Sequence, residues 1–256
     1  MSDFYELMHE GRSLVLPRVT AILDIIDKSR PLMGWATKLE REALRAALED
    51  ALTQPGELDA QAVWTRVDKQ LTSKRAWVRN RDSAAEIGKK AHAIICWHTR
   101  KMLGEDPGPE PGGPESALRA VVAWLDWAKA VEFQPQLMER TVYCPRCAYA
   151  GTFDVLAKVQ GQLVLVDYKT GKAVYEESHL QILAYRHALA REGIRTEGAL
   201  LLRLPKTAAD PDFEVVPAKP IPYRAWLGAC TLWRWRQWMA GKETGTETIS
   251  PCEVEA

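Results

Sequence analysis

The sequence has no long apolar run. Nothing in its 256 residues approaches the roughly 18 consecutive apolar residues of a membrane span, and the opening MSDFYELMHEGRS has no basic segment followed by an apolar one. It has no net charge, because 34 basic side chains balance 34 acidic ones, so a polyanion would have to bind a local basic patch. Five irregularly spaced cysteines are not typical of a secreted disulfide scaffold. We therefore expect a soluble, cytoplasmic protein.

Helical patterns dominate the first half of the chain. Apolar residues recur three or four positions apart in four segments, and the fourth begins with Ser83 and Glu86 in the spacing of a capping box. The predicted helices cover residues 17–27, 31–52, 60–77 and 82–103. The proline- and glycine-rich residues 104–114 predict a surface loop, and a tryptophan-rich helix is predicted over residues 115–131.

The second half carries the β-branched and aromatic residues that are typical of strands. The predicted strands cover residues 135–144, 151–159, 162–169, 198–204 and 213–217, the last as an edge strand, and helices are predicted over residues 176–192 and 223–241. This order predicts an α/β fold with helices packed on a mixed sheet. We expect a helical N-terminal portion at residues 1–80 and a core at residues 81–256, with the 104–114 loop inside the core.

The segment VDYKTGK, residues 166–172, places an acid and a lysine at the end of an apolar strand. If Gln160-Gly161 forms a two-residue hairpin loop, Asp154 and Asp167 lie equally far from it and face each other, with Cβ atoms roughly 4.5–5.5 Å apart. Lys169 points to the same face of the sheet as Asp167. Facing carboxylates repel unless a cation lies between them, and Mg²⁺ prefers such oxygen ligands. The hairpin therefore predicts a site for metal-assisted attack of water on a phosphodiester.

Four motifs in order resemble the RecB-like exonuclease branch of the PD-(D/E)xK nuclease superfamily. They are GKKAH on a helix, an acidic residue (Glu139) on the strand before the hairpin, GTFD with VDYKTGK in the hairpin, and QILAY on the next helix. The N-terminal LPRVTAIL and WATKLEREA segments further resemble phage-encoded exonucleases and the mitochondrial genome-maintenance exonucleases. The resemblance covers most of the chain and implies a restriction-endonuclease-like mixed sheet flanked by helices.

The resemblance also implies a divalent-metal site. Asp154, Asp167 and the backbone carbonyl of Tyr168 would ligate Mg²⁺ or Mn²⁺, and His92 of GKKAH would be a further ligand. Lys169 would orient the attacking water and stabilise charge on the scissile phosphate.

Five further residues take supporting roles by the same resemblance. Glu139 would act through a metal-bound water or a second ion, although a solvent-facing role is equally open. Gln181 and Tyr185 of QILAY would position the catalytic lysine and the nucleic-acid backbone. Thr170 and Lys172 follow that lysine and could touch phosphate.

A basic cluster precedes the GKKAH helix. In KRAWVRNR, the residues Lys74, Arg75, Arg79 and Arg81 surround Trp77. Such a cluster could be a solvated helix face, or it could follow a phosphate backbone and stack a base. We therefore include it as a candidate nucleic-acid contact.

Two other patterns have structural interpretations. Cys144 and Cys147 in CPRC predict a tight β-turn with free thiols, because Cys230 and Cys252 lie at no recognisable zinc spacing. The pair also departs from the iron–sulfur pattern of some RecB-like relatives, which have one cysteine before the core and three after it. In WRWRQW, residues 233–238, we expect the tryptophans to pack in the core and the arginines to extend along it towards solvent.

Together these patterns predict a metal-dependent DNA exonuclease that acts on single strands or DNA ends in recombination, repair or phage genome processing. The alternative is a nucleic-acid-binding or CRISPR-adaptation-like accessory factor whose nuclease activity is weak or depends on a partner. The sequence leaves the polarity of degradation, DNA against RNA, the preferred metal and the oligomeric state open.

Overall fold

A computed structural model describes residues 3–56, 59–71, 75–242 and 244–245. Within these ranges the helices and strands follow in this order: β1 (Phe4–His9), β2 (Arg12–Pro17), α1 (Val19–Leu23), α2 (Ser29–Thr53), α3 (Ala60–Gln70), α4 (Ala76–Met102), α5 (Glu115–Ala130), β3 (Gln134–Cys144), β4 (Tyr149–Val159), β5 (Gln162–Lys169), α6 (Glu176–Arg191), β6 (Gly198–Arg203), β7 (Glu214–Pro217) and α7 (Tyr223–Met239). No helix among the described residues is long and apolar enough to cross a membrane.

The chain divides into two compact units. The larger unit contains Met1–Ile26 and Gly88–Ala256, and the smaller contains Asp27–Ile87. In the smaller unit α2 and α3 pack through small and branched apolar side chains, which are Ala47, Ala51, Val63 and Val67. The Arg66 side chain closes this pair by donating to the Ala51 carbonyl oxygen at 3.1 Å. Both helices were predicted, and α3 ends at Gln70 instead of continuing to residue 77.

The larger unit begins with a β-hairpin where we predicted helix. Strands β1 and β2 pair from Phe4↔Pro17 to His9↔Arg12, and the turn residues Glu10 and Gly11 have φ angles of 47° and 76°. Positive φ at both positions is the geometry of a two-residue hairpin turn. The helix predicted over residues 17–27 is therefore wrong at its start, because Pro17 ends β2 and α1 covers only Val19–Leu23.

A five-stranded mixed sheet forms the centre of the larger unit, which confirms the predicted α/β fold. Its strand order is β3-β4-β5-β6-β7, and only the β5–β6 pair is parallel. Helix α6 connects these two strands as a crossover. Gln160 and Gly161 form the predicted β4–β5 loop, with φ angles of 51° and 82°, and the predicted register holds up to Val155↔Val166.

Helices cover both faces of this sheet. On one face α1, α6 and α7 bury a core whose largest members include Ile22, Ile182 and Trp226. On the other face the buried Trp124 of α5 places its ring centroid 6.4 Å from that of Tyr168 on β5. Consecutive residues of a strand face opposite sides of the sheet, so each layer takes alternate residues of the central strands.

Two expectations about helices are wrong. Ser83 lies inside α4, which begins at Ala76, so Ser83 and Glu86 do not form a capping box. Residues 76–82 contain no proline or glycine, and nothing there breaks the helix. On α7, Trp233 packs in the core as expected and contacts Phe4, whereas Trp235 is 54% exposed.

A tyrosine–histidine cluster joins α6 to α7. The Tyr149 hydroxyl lies 3.1 Å from His187 Nδ1 and 3.1 Å from the Tyr223 hydroxyl. The His187 ring stacks on Tyr223 with centroids 3.7 Å apart. Burial lowers the pKa of His187 to about 4, and the nearby Arg191 contributes in the same direction. The imidazole is therefore held neutral between two aromatic side chains.

The stability of the protein should fall in weak acid because of His187. The unfolded chain binds the proton near the ordinary pKa of 6.5, and the folded chain only near 4. Between these values the unfolded state binds more protons, so the stabilisation present above pH 6.5 is lost as pH falls towards 4. The urea midpoint, measured between about pH 7.5 and about pH 5, should fall more steeply for the wild type than for His187→Gln. Equal slopes would contradict this assignment.

Candidate active site

The ends of β4 and β5 bring together the predicted metal-ligand side chains. Asp167 and Lys169 lie on β5 and Asp154 on β4, and His92 reaches them from α4. His92 Nδ1 lies 3.7 Å from Asp154 Oδ1. Lys169 Nζ lies 2.7 Å from Asp167 Oδ2. The other oxygen of Asp154 accepts a hydrogen bond from the Tyr168 N–H at 2.6 Å. The structure thus places two carboxylates, an ammonium and an imidazole in one group.

The alternation of β5 explains how DYK supplies this group. Asp167 and Lys169 project to the face that α6 covers, while Tyr168 projects to the opposite face. The buried Tyr168 ring packs edge-on against His92, with centroids 5.8 Å apart, and edge-on against Trp124. We had expected only the backbone carbonyl of Tyr168 to matter. Its ring also fixes the end of β5 by packing against His92 and Trp124. In the sequence, the aromatic residue between the acid and the lysine of DYK could have indicated this packing role.

Burial sets the charge state of the group. It raises the pKa of Asp154 to about 6, against the lowering effect of His92 and with a further raising effect of Asp167. Burial also opposes the charge on Lys169, but the Asp167 carboxylate outweighs burial and raises the lysine pKa above its usual value. Lys169 is therefore a protonated cation at neutral pH and not a general base.

The donor set fits a hard divalent cation. Two carboxylates, a backbone carbonyl and an imidazole are ligands that Mg²⁺ or Mn²⁺ accepts. Among the described residues, no three histidine, cysteine or carboxylate side chains are already arranged around a common metal position. Asp167 is instead turned to Lys169, and Asp154 to the Tyr168 N–H. A cation would supply positive charge that favours the ionised form of Asp154, whose pKa burial and Asp167 raise.

Two side chains of α6 hold the lysine from the other side. Lys169 Nζ donates to Gln181 Oε1 at 2.8 Å, and Gln181 Nε2 donates to the Tyr185 hydroxyl at 3.0 Å. Gln181 and Tyr185 lie one helical turn apart on one face of α6. The positions that we predicted from QILAY therefore form a continuous hydrogen-bonded chain to Lys169.

Tyr185 occupies the space next to a glycine of GTFD. A Cβ on Gly151 would lie 2.3 Å from a carbon of the Tyr185 ring, and real Cβ atoms do not approach that closely. Gly151 thus allows the tyrosine that supports Gln181 to pack against β4. The sequence indicated no role for Gly151, because its partner lies on α6, beyond the next strand.

Glu139 lies on β3 where that strand is distorted. The register of β3 with β4 is the same on both sides of this residue, at Met138↔Val155 and Arg140↔Phe153. The distortion is in the backbone of Glu139 itself, which has a φ angle of 46°. Burial raises the pKa of Glu139, while His92 and Arg100 of α4 lower it. Since His92 also acts on the pKa of Asp154, the imidazole lies near both carboxylates. The left-handed backbone at a non-glycine residue marks a strained position.

Close approach of α4 to the end of β5 depends on Gly88. A Cβ at Gly88 would lie 2.8 Å from Thr170 Oγ1, so the glycine of GKKAH lets the helix carry His92 next to this strand end. Thr170 is partly buried at this contact, and Lys172 is exposed beyond it. The contact of both side chains with phosphate stays a prediction.

The predicted basic cluster belongs to the smaller unit. Arg75, Arg79 and Arg81 are exposed on α4 or just before it, and Lys74 lies outside the described residues. Arg81 forms an ion pair with Asp82 at 2.9 Å. The Trp77 ring packs edge-on against Trp35, with centroids 6.5 Å apart. This indole is partly buried and engaged in packing, so its role in base stacking stays a prediction.

The CPRC segment forms the predicted turn, and no disulfide joins its cysteines. Cys144 ends β3, and the Cys147 N–H donates to the Cys144 sulfur at 3.4 Å. Both cysteines are buried in the core, where Cys230 of α7 also lies. Cys252 lies outside the described residues.

Comparisons with known proteins identify a family. A model of the PD-(D/E)XK nuclease superfamily matches residues 36–253, and the five-stranded mixed sheet between helices is consistent with its fold. No curated protein matches the chain. The solved structure of SSO0001 is 10% identical with a TM-score of 0.31 and covers 77% of this chain and 85% of its own. A "Putative exonuclease" from Eubacterium rectale is 8% identical with a TM-score of 0.36, covering 76% and 77%. Neither of these low scores supports an argument.

Substitution of Gly151 should test the packing beneath the site. Gly151→Ala forces the new methyl group into the Tyr185 ring, and such overpacking costs about 1–3 kcal/mol of unfolding free energy. Gly228→Ala on the exposed side of α7 is the matched control, since a Cβ there meets nothing within 4 Å. In a helix this control should stabilise by about 0.5–1 kcal/mol. Urea unfolding of both variants measures the difference, and equal effects would show that Tyr185 is displaced without cost.

Proposed function

Because the chain belongs to the PD-(D/E)XK nuclease superfamily, whose model matches residues 36–253, we propose that it is a divalent-metal-dependent deoxyribonuclease. Superfamily membership supports phosphodiester hydrolysis. The proposal adds a DNA substrate, Mg²⁺ or Mn²⁺ as cofactor, and exonuclease attack on single strands or DNA ends. The four RecB-like motifs support the exonuclease mode and a place in recombination, repair or phage genome processing.

One observation carries this proposal. The buried Asp167 and the protonated Lys169 form an ion pair at 2.7 Å, directly beside Asp154, whose pKa the Asp167 charge raises. Burying one acid and partly burying a second acid and a lysine beside it is costly for a fold unless the group has a function. A purely structural ion pair would need only one of the two carboxylates.

The cofactor would contribute charge at this point. Held by Asp154, Asp167 and the Tyr168 carbonyl, with His92 beside them, a divalent ion would stabilise negative charge on the phosphate and activate water for attack. Glu139 lies near enough to His92 for the imidazole to lower the pKa of its carboxyl group. It would therefore act on the same group, through a metal-bound water or a second ion.

The chain's own residues position Lys169 for the reaction. An ammonium group has three N–H donors, of which one is directed to Asp167 Oδ2 and one to Gln181 Oε1. The third donor is available for the attacking water or a phosphate oxygen. Because the pKa of Lys169 is raised, the side chain stabilises negative charge and orients its partner, and it does not remove the proton of the nucleophile.

The proposal is tested by degradation of end-labelled DNA, single- and double-stranded, linear and circular, with Mg²⁺, Mn²⁺ or EDTA. We expect metal-dependent loss of linear DNA, with circles spared. Lys169→Ala and Asp167→Asn should each lower the rate on the order of 10²-fold or more, as for other groups that stabilise a transition-state charge. Lys158→Ala is the matched control, because Lys158 is exposed on β4.

Three outcomes would contradict the proposal in different ways. DNA binding without cleavage under every metal would support the accessory-factor alternative. Activity that survives both substitutions would place the chemistry elsewhere. Equal cleavage of circular and linear DNA would exclude the exonuclease mode while leaving the nuclease.

Gln181 should act as a positioning residue. Gln181→Ala removes the acceptor that holds Lys169 Nζ, so we expect kcat to fall roughly tenfold with KM for DNA nearly unchanged, because a misplaced group weakens only the transition state. Gln136→Ala, an exposed glutamine on β3, is the control. A rise in KM at constant kcat would instead assign Gln181 to substrate binding.

A further inference from the structure

Helix α7 presents an aromatic face that the rest of the described chain leaves exposed. Trp235 is 54% exposed and Trp238 is 72% exposed. The two residues are three positions apart, so their indoles lie side by side on one face of the helix. Large apolar side chains exposed together on a surface mark a binding site more often than chance exposure.

These two tryptophans line an open cleft of about 680 Å³ together with Arg234, Lys242, Thr244 and Gly245. The segment with Gly245 forms the second wall and lies against the N-terminal hairpin. A Cβ on Gly245 would be 2.3 Å from the Val15 carbonyl oxygen. The volume is within the range of small-ligand sites, which makes the cleft large enough for an aromatic base.

The cleft is positively charged. Arg234 and Lys242 are its charged residues, and its described lining contains no carboxylate. The Arg234 guanidinium is fixed in place because it donates to the carbonyl oxygens of Cys147 and Ala148. Arg236 does not line this cleft but a neighbouring hollow with Asp3 and Asp24, and Lys242 lines both. In a chain with no net charge, this is a local basic patch of the kind that a polyanion requires.

We propose that this cleft binds single-stranded nucleic acid, with unpaired bases stacked on Trp235 and Trp238 and phosphates held by Arg234 and Lys242. Indoles offer a stacking surface to any base, and cations beside them follow the backbone. A duplex keeps its base faces stacked inside and would not use the indoles. The inference deepens the proposed nuclease function by naming the single strand as what this surface holds.

Binding without cleavage tests this cleft separately from the active site. In EDTA, the affinity for a labelled oligo(dT) is measured by fluorescence anisotropy for the wild type, Trp235→Ala and Trp238→Ala. Loss of one stacked base weakens binding roughly 5- to 150-fold. Trp64→Ala is the matched control, because Trp64 is 49% exposed on α3 of the smaller unit. Lys242→Ala should lower the slope of log affinity against log salt by about 1.

Several results would overturn the inference. Wild-type affinity in both tryptophan variants would do so, and so would an equal loss of duplex and single-strand binding. Sedimentation that shows a wild-type dimer, dissolved by Trp238→Ala with oligo(dT) affinity unchanged, would assign the face to a second copy of the chain. Because the assay contains EDTA and measures binding alone, its outcome for the tryptophan variants tests the cleft whether or not the nuclease proposal holds.

Discussion

The placement of two neighbouring carboxylates, one buried and one partly buried, is the constraint around which the larger unit is organised. Asp167 is 3% exposed, and an uncompensated charge at such a position would destabilise any fold. Compensation comes from three groups on β5 and α4. Lys169 follows on the same strand, the Tyr168 N–H caps Asp154, and His92 approaches from α4. The sheet, its crossover helix and α4 must all be folded for this charged group not to destabilise the protein.

The supporting residues show how Lys169 is held without being neutralised. Asp167 keeps the ammonium charged, and Gln181 gives it a second, uncharged acceptor. Tyr185 fixes Gln181, and the absence of a side chain at Gly151 makes room for Tyr185. The chemistry of one side chain thus depends on packing between β4 and α6. Loss of activity after substitution in this chain of contacts need not mean loss of a reacting group.

Local patterns predicted which side chains the hairpin and the next helix bring together, whereas contacts between distant parts of the sequence were not predicted. The alternation of β5 placed Asp167 and Lys169 on one face, and the Gln160-Gly161 loop set the register, so both followed from nearby residues. The packing of Gly151 on Tyr185 joins residues far apart in sequence. The spacing of apolar residues along one helix or strand cannot predict such a contact. The N-terminal hairpin was missed because short apolar runs fit a helix or a strand equally well. Trp235 was assigned to the core because a tryptophan in sequence does not reveal which side of its helix is covered.

The β4–β5 turn has a consequence for how the length of the chain can vary here. Gln160 and Gly161 are solvent-exposed and carry no chemistry, yet they set the β4–β5 pairing, which extends to Val155↔Val166, next to Asp154 and Asp167. Side chains alternate with a period of two, so a slip of one residue would send one carboxylate to the opposite layer. Exposed loops ordinarily accept insertions and deletions freely. In this turn the positive φ angles of both residues restrict their identity, and the number of residues is under the same selection as the acids themselves.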